Sequence, residues 1–169
     1  MTPARPNAPG RVVTEAELVE RVRADRAVGR TIAFANGCFD VLHVGHARYL
    51  AGAAALADRL VVAVNDDASV AALKGPGRPV QTASDRAELV AGFAAVDYVV
   101  VFADATVRRL LALVEPDVHC KGPDYTVDTV PERDVVRAYG GRTVIVGDGK
   151  AHSTRDLVTR IRTPRDPAS

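Results

Sequence analysis

The stretch Thr31–Leu50 (TIAFANGCFDVLHVGHARYL) constrains this chain more than any other. Its first residues, Thr31–Ala35, are largely apolar without clean alternation, which predicts a strand buried on both faces. Asn36-Gly37 then lets the chain turn sharply, and an alanine-enriched helix is expected from near Val44 to Ala57. A strand that needs cover on both sides and leads straight into a helix belongs to a parallel sheet between two helical layers. Arg59–Asn65, Val96–Phe102, Asp117–Lys121 and Arg142–Val146 read as further strands of the same kind. The expected fold is therefore α/β, a three-layer sandwich around a five-stranded parallel sheet. Binding in such a fold belongs at the carboxyl ends of the strands.

The connecting segments carry helix signals. Thr14 and Glu17 form a capping box for a helix to about Ala27 that buries Leu18, Val19 and Val22. Ala68–Leu73 is expected to make one or two helical turns. Ser84 is expected to cap a helix to about Phe93, and Asp104 one through Val114, which Pro116 then stops. Pro131 suits the first position of a helix to Tyr139, and Ser153 with Asp156 reads as a second capping box for a helix to about Ile161. Residues 1–12 read as a disordered lead-in, 13–162 as one domain and 163–169 as a tail. The segments 66–82 and 119–129 both follow strands, so both fall at the binding edge. Within the first, Lys74–Thr82 (KGPGRPVQT) is a candidate mobile loop.

Charge excludes some partners. The formal net charge is +1 and 5% of the residues are aromatic, with no basic stripe interleaved with aromatics, so nucleic acid is not expected. No apolar run approaches the roughly 18 residues that span a bilayer, and the N-terminus lacks the apolar core of a secretory signal. Two cysteines, Cys38 and Cys120, make no disulfide framework, and a cytoplasmic setting is the expectation. Only three of the 22 basic residues are lysines, Lys74, Lys121 and Lys150, and each adjoins a glycine. A compact ammonium beside flexible backbone suits a phosphate oxygen.

His43-Val44-Gly45-His46 puts two imidazoles three residues apart at a helix start, on nearly the same face. The N–H groups of a first helical turn favour an anion, and Gly45 keeps that turn open to a close approach. Together these residues suit a polyphosphate clamp, of most use where charge develops during nucleotidyl transfer. Zinc held by His43 and His46 with Cys38 or Asp40 is an alternative, as are unrelated surface histidines. Asp40 is a candidate magnesium ligand. Asn36 would bond the motif backbone or a phosphate, or serve as a simple strand-end turn residue, and Cys38 reads as a small buried side chain. No Walker glycine loop occurs.

The run NGCFDVLHVGH resembles the N-G-x-F-D-x-x-H-x-G-H signature of the cytidylyltransferase-like nucleotidyltransferases. The likeness continues through KGPGRPV, DRAELVAGFAAVDYVVVF, CKGPDYT and GDGKAHSTRDLV, and there looks like the heptose 1-phosphate adenylyltransferase branch. The resemblance implies a Rossmann-like fold, transfer of AMP from ATP to a sugar 1-phosphate with release of pyrophosphate, magnesium, and a homodimer. It implies His43 and His46 as the clamp and Lys74 as a ligand of the triphosphate or the acceptor phosphate. It implies Ser153 and Thr154 as holders of the β- and γ-phosphates. Asn36, Gly37, Phe39, Asp40, Gly45, Arg78 and Lys121 are implied in the nucleotide-binding set, and Arg86 matches a further position of the pattern. Arg155 stands where a second threonine is common, and His152 where Cys or Ile is. The alternative is a cytidylyltransferase acting on glycerol 3-phosphate or another phosphorylated alcohol.

Overall fold

Two residues near the start of the chain, Arg11 and Val12, form a strand (β1) that no sequence pattern marks. The structure, a computed structural model, describes residues 10–147 and 153–163. After β1 come α1 (Glu15–Ala27), β2 (Ile32–Gly37), α2 (Val44–Ala54), β3 (Arg59–Asn65), α3 (Asp67–Lys74) and α4 (Ala83–Ala91). They are followed by β4 (Tyr98–Phe102), α5 (Arg108–Val114), β5 (Val118–Lys121), α6 (Arg133–Ala138), β6 (Arg142–Ile145) and α7 (Thr154–Arg162).

The strands form one sheet in the order β1-β4-β3-β2-β5-β6, every pair parallel. The expected five strands become six because β1 joins the edge, Arg11 opposite Tyr98 and Val12 opposite Val99. The expected lead-in thus gives way by Gly10, whose N–H donates to Ala91 O at 2.7 Å. A side chain on Gly10 would meet Val96 O at 2.8 Å, so glycine lets the edge pass close to the segment between α4 and β4. Residues 1–9 lie outside the described residues.

Both faces of the sheet are covered, as the unalternating strands require. Leu60, Val62 and Val64 of β3 point one way, into a cluster with Leu50 and Ala53 of α2 and Val90 of α4. Val61 and Ala63 point the other way, joining Phe34, Leu18 and Val22 of α1, and Leu110 and Leu111 of α5. Val19 is only half-buried. Among the described residues, no helix is long and apolar enough to cross a membrane.

Several helix ends depart from expectation. Thr82, not Ser84, caps α4, its hydroxyl accepting from Asp85 N–H. Asp104 caps nothing; α5 starts later, at Arg108, and the Asp104 carboxylate pairs with Arg109 at 2.7 Å. Glu132 is the N-cap of α6, so Pro131 sits two positions ahead of the first helical residue rather than at it.

The chain leaves β2 for β3 and β4 on one side, then crosses back to β5 and β6 on the other. Strand order therefore reverses between β2 and β5. The crevice at their carboxyl ends, where 38–43 and 122–132 emerge, is the place for a ligand.

Candidate active site

Asn36 and Gly37 do not make the expected turn; both remain in β2. The reversal falls at Phe39 (φ 49) and Val41 (φ 58), two non-glycine residues in the left-handed region. Such a backbone persists only where its surroundings fix it, and here they do. The buried Asp40 carboxylate accepts from Val80 N–H at 3.0 Å and Gln81 N–H at 3.1 Å. It also pairs with Arg78 Nε at 2.7 Å. Val41 N–H donates to Gln81 Oε1 at 3.3 Å, and Thr154 Oγ1 donates to Asp40 O at 3.0 Å. Asp40 and Arg78 are thus the fastening between the 39–41 turn and the Lys74–Thr82 loop. Phe39 is buried against the rings of His46, 5.4 Å away, and Tyr49, 6.5 Å away. A side chain on Gly37 would come within 3.2 Å of the Phe39 ring.

His43 is the N-cap of α2. Its Nδ1 accepts from Gly45 N–H at 3.1 Å, and its own N–H donates to His46 Nδ1 at 3.3 Å. The two ring centroids are 4.0 Å apart, the planes inclined by 32°. Because both Nδ1 atoms accept, both neutral rings carry their proton on Nε2. Burial first, then the cost of a second positive charge beside His43 and near Lys74, lowers His46 to about 4, so it is neutral at working pH. Gly45 N–H is engaged by the His43 ring, so the first turn of α2 offers one helix amide fewer than its sequence suggests.

The other expected residues distribute unevenly. Lys74, exposed at the end of α3, is close enough for its charge to bear on His46 and Cys38. Ser153 Oγ accepts from Asp156 N–H at 3.1 Å as the N-cap of α7. With Thr154 on Asp40 O, the start of α7 is docked on the 39–41 turn. A cleft of about 290 Å³ lies there, lined by Leu42, His43, Val44, Ser153, Leu157 and Arg160 among others. Arg86 is wholly buried and ties strand ends to the loop. Lys121 is buried beside Glu132, away from open solvent. Lys150 and His152 lie outside the described residues.

The metal readings fit poorly. The Asp40 oxygens accept from Val80 and Gln81 and pair with Arg78, so the expected magnesium ligand serves here to fasten the loop. No three His, Cys, Asp or Glu side chains converge among the described residues. Burial pushes the Cys38 thiol up, against a nucleophilic role.

Sequence reasoning missed two residues here. His119 is buried, its Nε2 3.1 Å from Asn36 Oδ1. A histidine inside the otherwise apolar VHC run was the available signal. Glu132, just after a proline and before a helix, looked like any exposed cap residue, yet it is 5% exposed.

Burial also lowers His119, to about 3. His46 and His119 therefore take up protons more readily unfolded, near 6.5, than folded. The unfolded state binds more protons between those values, so stability falls as the pH drops below about 6.5. Urea midpoints measured from pH 7 to pH 4.5 are expected to decline, and His119→Gln to flatten the decline. A slope unchanged in that variant would contradict it.

A family model described as cytidylyltransferase-like matches residues 34–166. The bifunctional protein HldE of Pseudomonas fluorescens (strain SBW25) is 50% identical over 151 residues, covering 89% of this chain and 32% of that protein. Its counterpart in Azotobacter vinelandii is 49% identical over 146 residues, covering 86% of this chain and 31% of that protein. The chain thus spans about a third of the length of these relatives. Among solved structures, the lipopolysaccharide core biosynthesis protein from Thermoplasma volcanium GSS1 superposes with a TM-score of 0.62 at 26% identity, covering 72% of this chain and all of that one.

Proposed function

Because this chain belongs to the cytidylyltransferase-like family, we propose that it transfers AMP from ATP to D-glycero-β-D-manno-heptose 1-phosphate, giving ADP-heptose and pyrophosphate. The observation that carries the nucleotidyl transfer is the imidazole pair at the strand-order reversal, with both Nδ1 atoms accepting so that each neutral ring carries its proton on Nε2. The heptose acceptor is supported by the KGPGRPV and CKGPDYT stretches and by the 50% identity to the bifunctional HldE protein. The Thermoplasma neighbour is itself a lipopolysaccharide core biosynthesis protein.

An oxygen of the acceptor phosphate attacks the α-phosphorus in line. The new O–P bond forms as the bond to the β-phosphate oxygen breaks, and its electron pair leaves with pyrophosphate. The attacking oxygen is already ionised, so no general base is required. The protein's contribution is positioning and charge stabilisation. His43 and His46 donate to the triphosphate oxygens on which charge grows, and Lys74 adds a positive charge from the end of α3. Magnesium belongs to this reading as the counter-ion that ATP brings, and no step is assigned to it; Asp40, its expected ligand, is engaged by the loop. A homodimer in the cytoplasm completes the reading.

Pyrophosphate release tests it, with ATP and CTP each offered against the heptose 1-phosphate and glycerol 3-phosphate. Release with ATP and the heptose phosphate alone is expected; release with CTP and glycerol 3-phosphate would overturn the assignment. Lys74→Ala is expected to lower kcat/KM for ATP by on the order of 10²-fold while KM for the sugar phosphate holds. Unchanged ATP kinetics would remove Lys74 from the site.

A further inference from the structure

Lys121 closes β5 and Glu132 precedes α6, so the two face each other across the loop 122–131. They are 8% and 5% exposed. Their charged atoms, Nζ and Oε2, stand 3.7 Å apart, well beyond the usual 2.7–2.9 Å of a charge-assisted hydrogen bond. Glu132 Oε2 is buried with no hydrogen bond at all. A buried carboxylate oxygen left in this state is costly, and a pair made only for stability closes to contact. The Tyr125 ring lies at the rim, 38% exposed, its centroid 4.8 Å from Lys121 Nζ.

The pair has a neighbour on the same sheet face. His119, two residues before Lys121, projects to the side of β5 that Lys121 does, and its Nε2 is 3.1 Å from Asn36 Oδ1. An amide oxygen only accepts, so His119 donates and the Asn36 NH₂ is turned away from it. The carboxyl ends of β2 and β5, where strand order reverses, thus gather an amide, an ammonium, a carboxylate and an aromatic ring. Tyr49 OH, on the helix that carries His46, donates to Cys120 O at 2.8 Å and ties this corner to the imidazole pair.

The chemistry differs from that at His43 and His46. A carboxylate repels a phosphate, so the corner is not a second phosphate seat. Mixed donors and acceptors, half dry and with a ring at the edge, suit the hydroxyls and C–H face of a sugar. We propose that the Lys121–Glu132 pair, with Tyr125 at its rim, seats the hydroxyl-bearing ring of the acceptor sugar phosphate, with sugar hydroxyls entering between Nζ and Oε2. The inference rests on the sugar 1-phosphate reading given above and adds the residues that select the sugar. His119 serves as a positioning residue for Asn36.

Calorimetric titration of the heptose 1-phosphate into protein saturated with α,β-methylene-ATP and magnesium tests it. Glu132→Gln is expected to weaken sugar phosphate binding by about tenfold and leave the affinity for the ATP analogue unchanged. The sign is diagnostic: a carboxylate that is only a charged neighbour would, once neutralised, let an anionic ligand bind as well or better. Tyr125→Leu, which removes the ring at the rim and leaves both charged groups in place, is expected to weaken the sugar phosphate and not the ATP analogue. Wild-type affinity for the sugar phosphate in both variants, or no binding to the wild type, overturns the proposal. Binding that depends on Glu132 without pyrophosphate release would uphold the sugar seat and overturn the reaction. Release with binding indifferent to Glu132 would do the reverse.

Discussion

His46→Ala is expected to lower kcat by on the order of 10²–10³-fold, the usual effect of removing one preorganised donor from a site of developing charge. Two losses combine in this variant. The Nε2–H proposed as a donor to the phosphates disappears, and so does the Nδ1 acceptor that holds the His43 N–H at 3.3 Å. The second loss loosens the start of α2, where the His43 ring itself is braced by Gly45 N–H. The ring of His46 also packs on Phe39, so a modest drop in stability is expected alongside, with unfolding still cooperative. Because the donors act where charge grows, KM for ATP should change less than kcat. Steady-state pyrophosphate release at saturating substrates measures this, and a kcat within twofold of wild type would remove His46 from the chemistry.

How much of this was legible in the sequence follows the range of the contacts involved. Strand β3 lies at Arg59–Asn65 as its apolar run predicts, and the Thr14–Glu17 capping box is present with both of its bonds. Those signals are local: a run of buried residues, or a side chain reaching three positions on. The imidazole pair is likewise local, and its spacing places it at the start of α2. What escaped depends on distant partners. The left-handed backbone at Phe39 and Val41 is held by residues near position 80 and by Thr154, so no property of NGCFDV marks it. An aspartate beside a histidine motif looks the same whether it binds a metal or two backbone amides, and Asp40 does the latter. Ser153 and Thr154 show the same ambiguity, since their hydroxyls cap and dock a helix here. Glu132 and Lys121 are separated by a loop that hides their pairing. Strand β1 is two residues long, too short for any periodicity.

Arg86→Met is expected to cost about 3–5 kcal/mol of stability, the range for removing one partner from a buried charged network. Arg86 sits on α4 with no exposure and its guanidinium reaches four acceptors. Nη1 donates to Cys38 O at 2.5 Å and Asn65 O at 2.7 Å, Nε to Gln81 O at 3.0 Å, and Nη2 to Asp67 Oδ1 at 2.8 Å. These acceptors follow β2, end β3, sit in the loop before α4 and open α3. Methionine fills much of the volume but satisfies none of them. Asp67 is half exposed and can turn to water, whereas the carbonyl of Asn65, itself buried, has no such exit. Lysine keeps the charge and presents a single ammonium where a fork is needed, so Arg86→Lys should recover only part of the loss. Urea unfolding of the three proteins decides it: stabilities of both variants within about 0.5 kcal/mol of wild type, the range of ordinary surface changes, would contradict the role. Activity supplies an independent reading at a temperature where Arg86→Lys is still folded. Cys38 O belongs to the turn that leads to His43, and Gln81 belongs to the loop that Asp40 fastens. A looser fork therefore predicts a lower kcat in the folded variant, because the imidazole pair is only as well aimed as the strand ends beneath it.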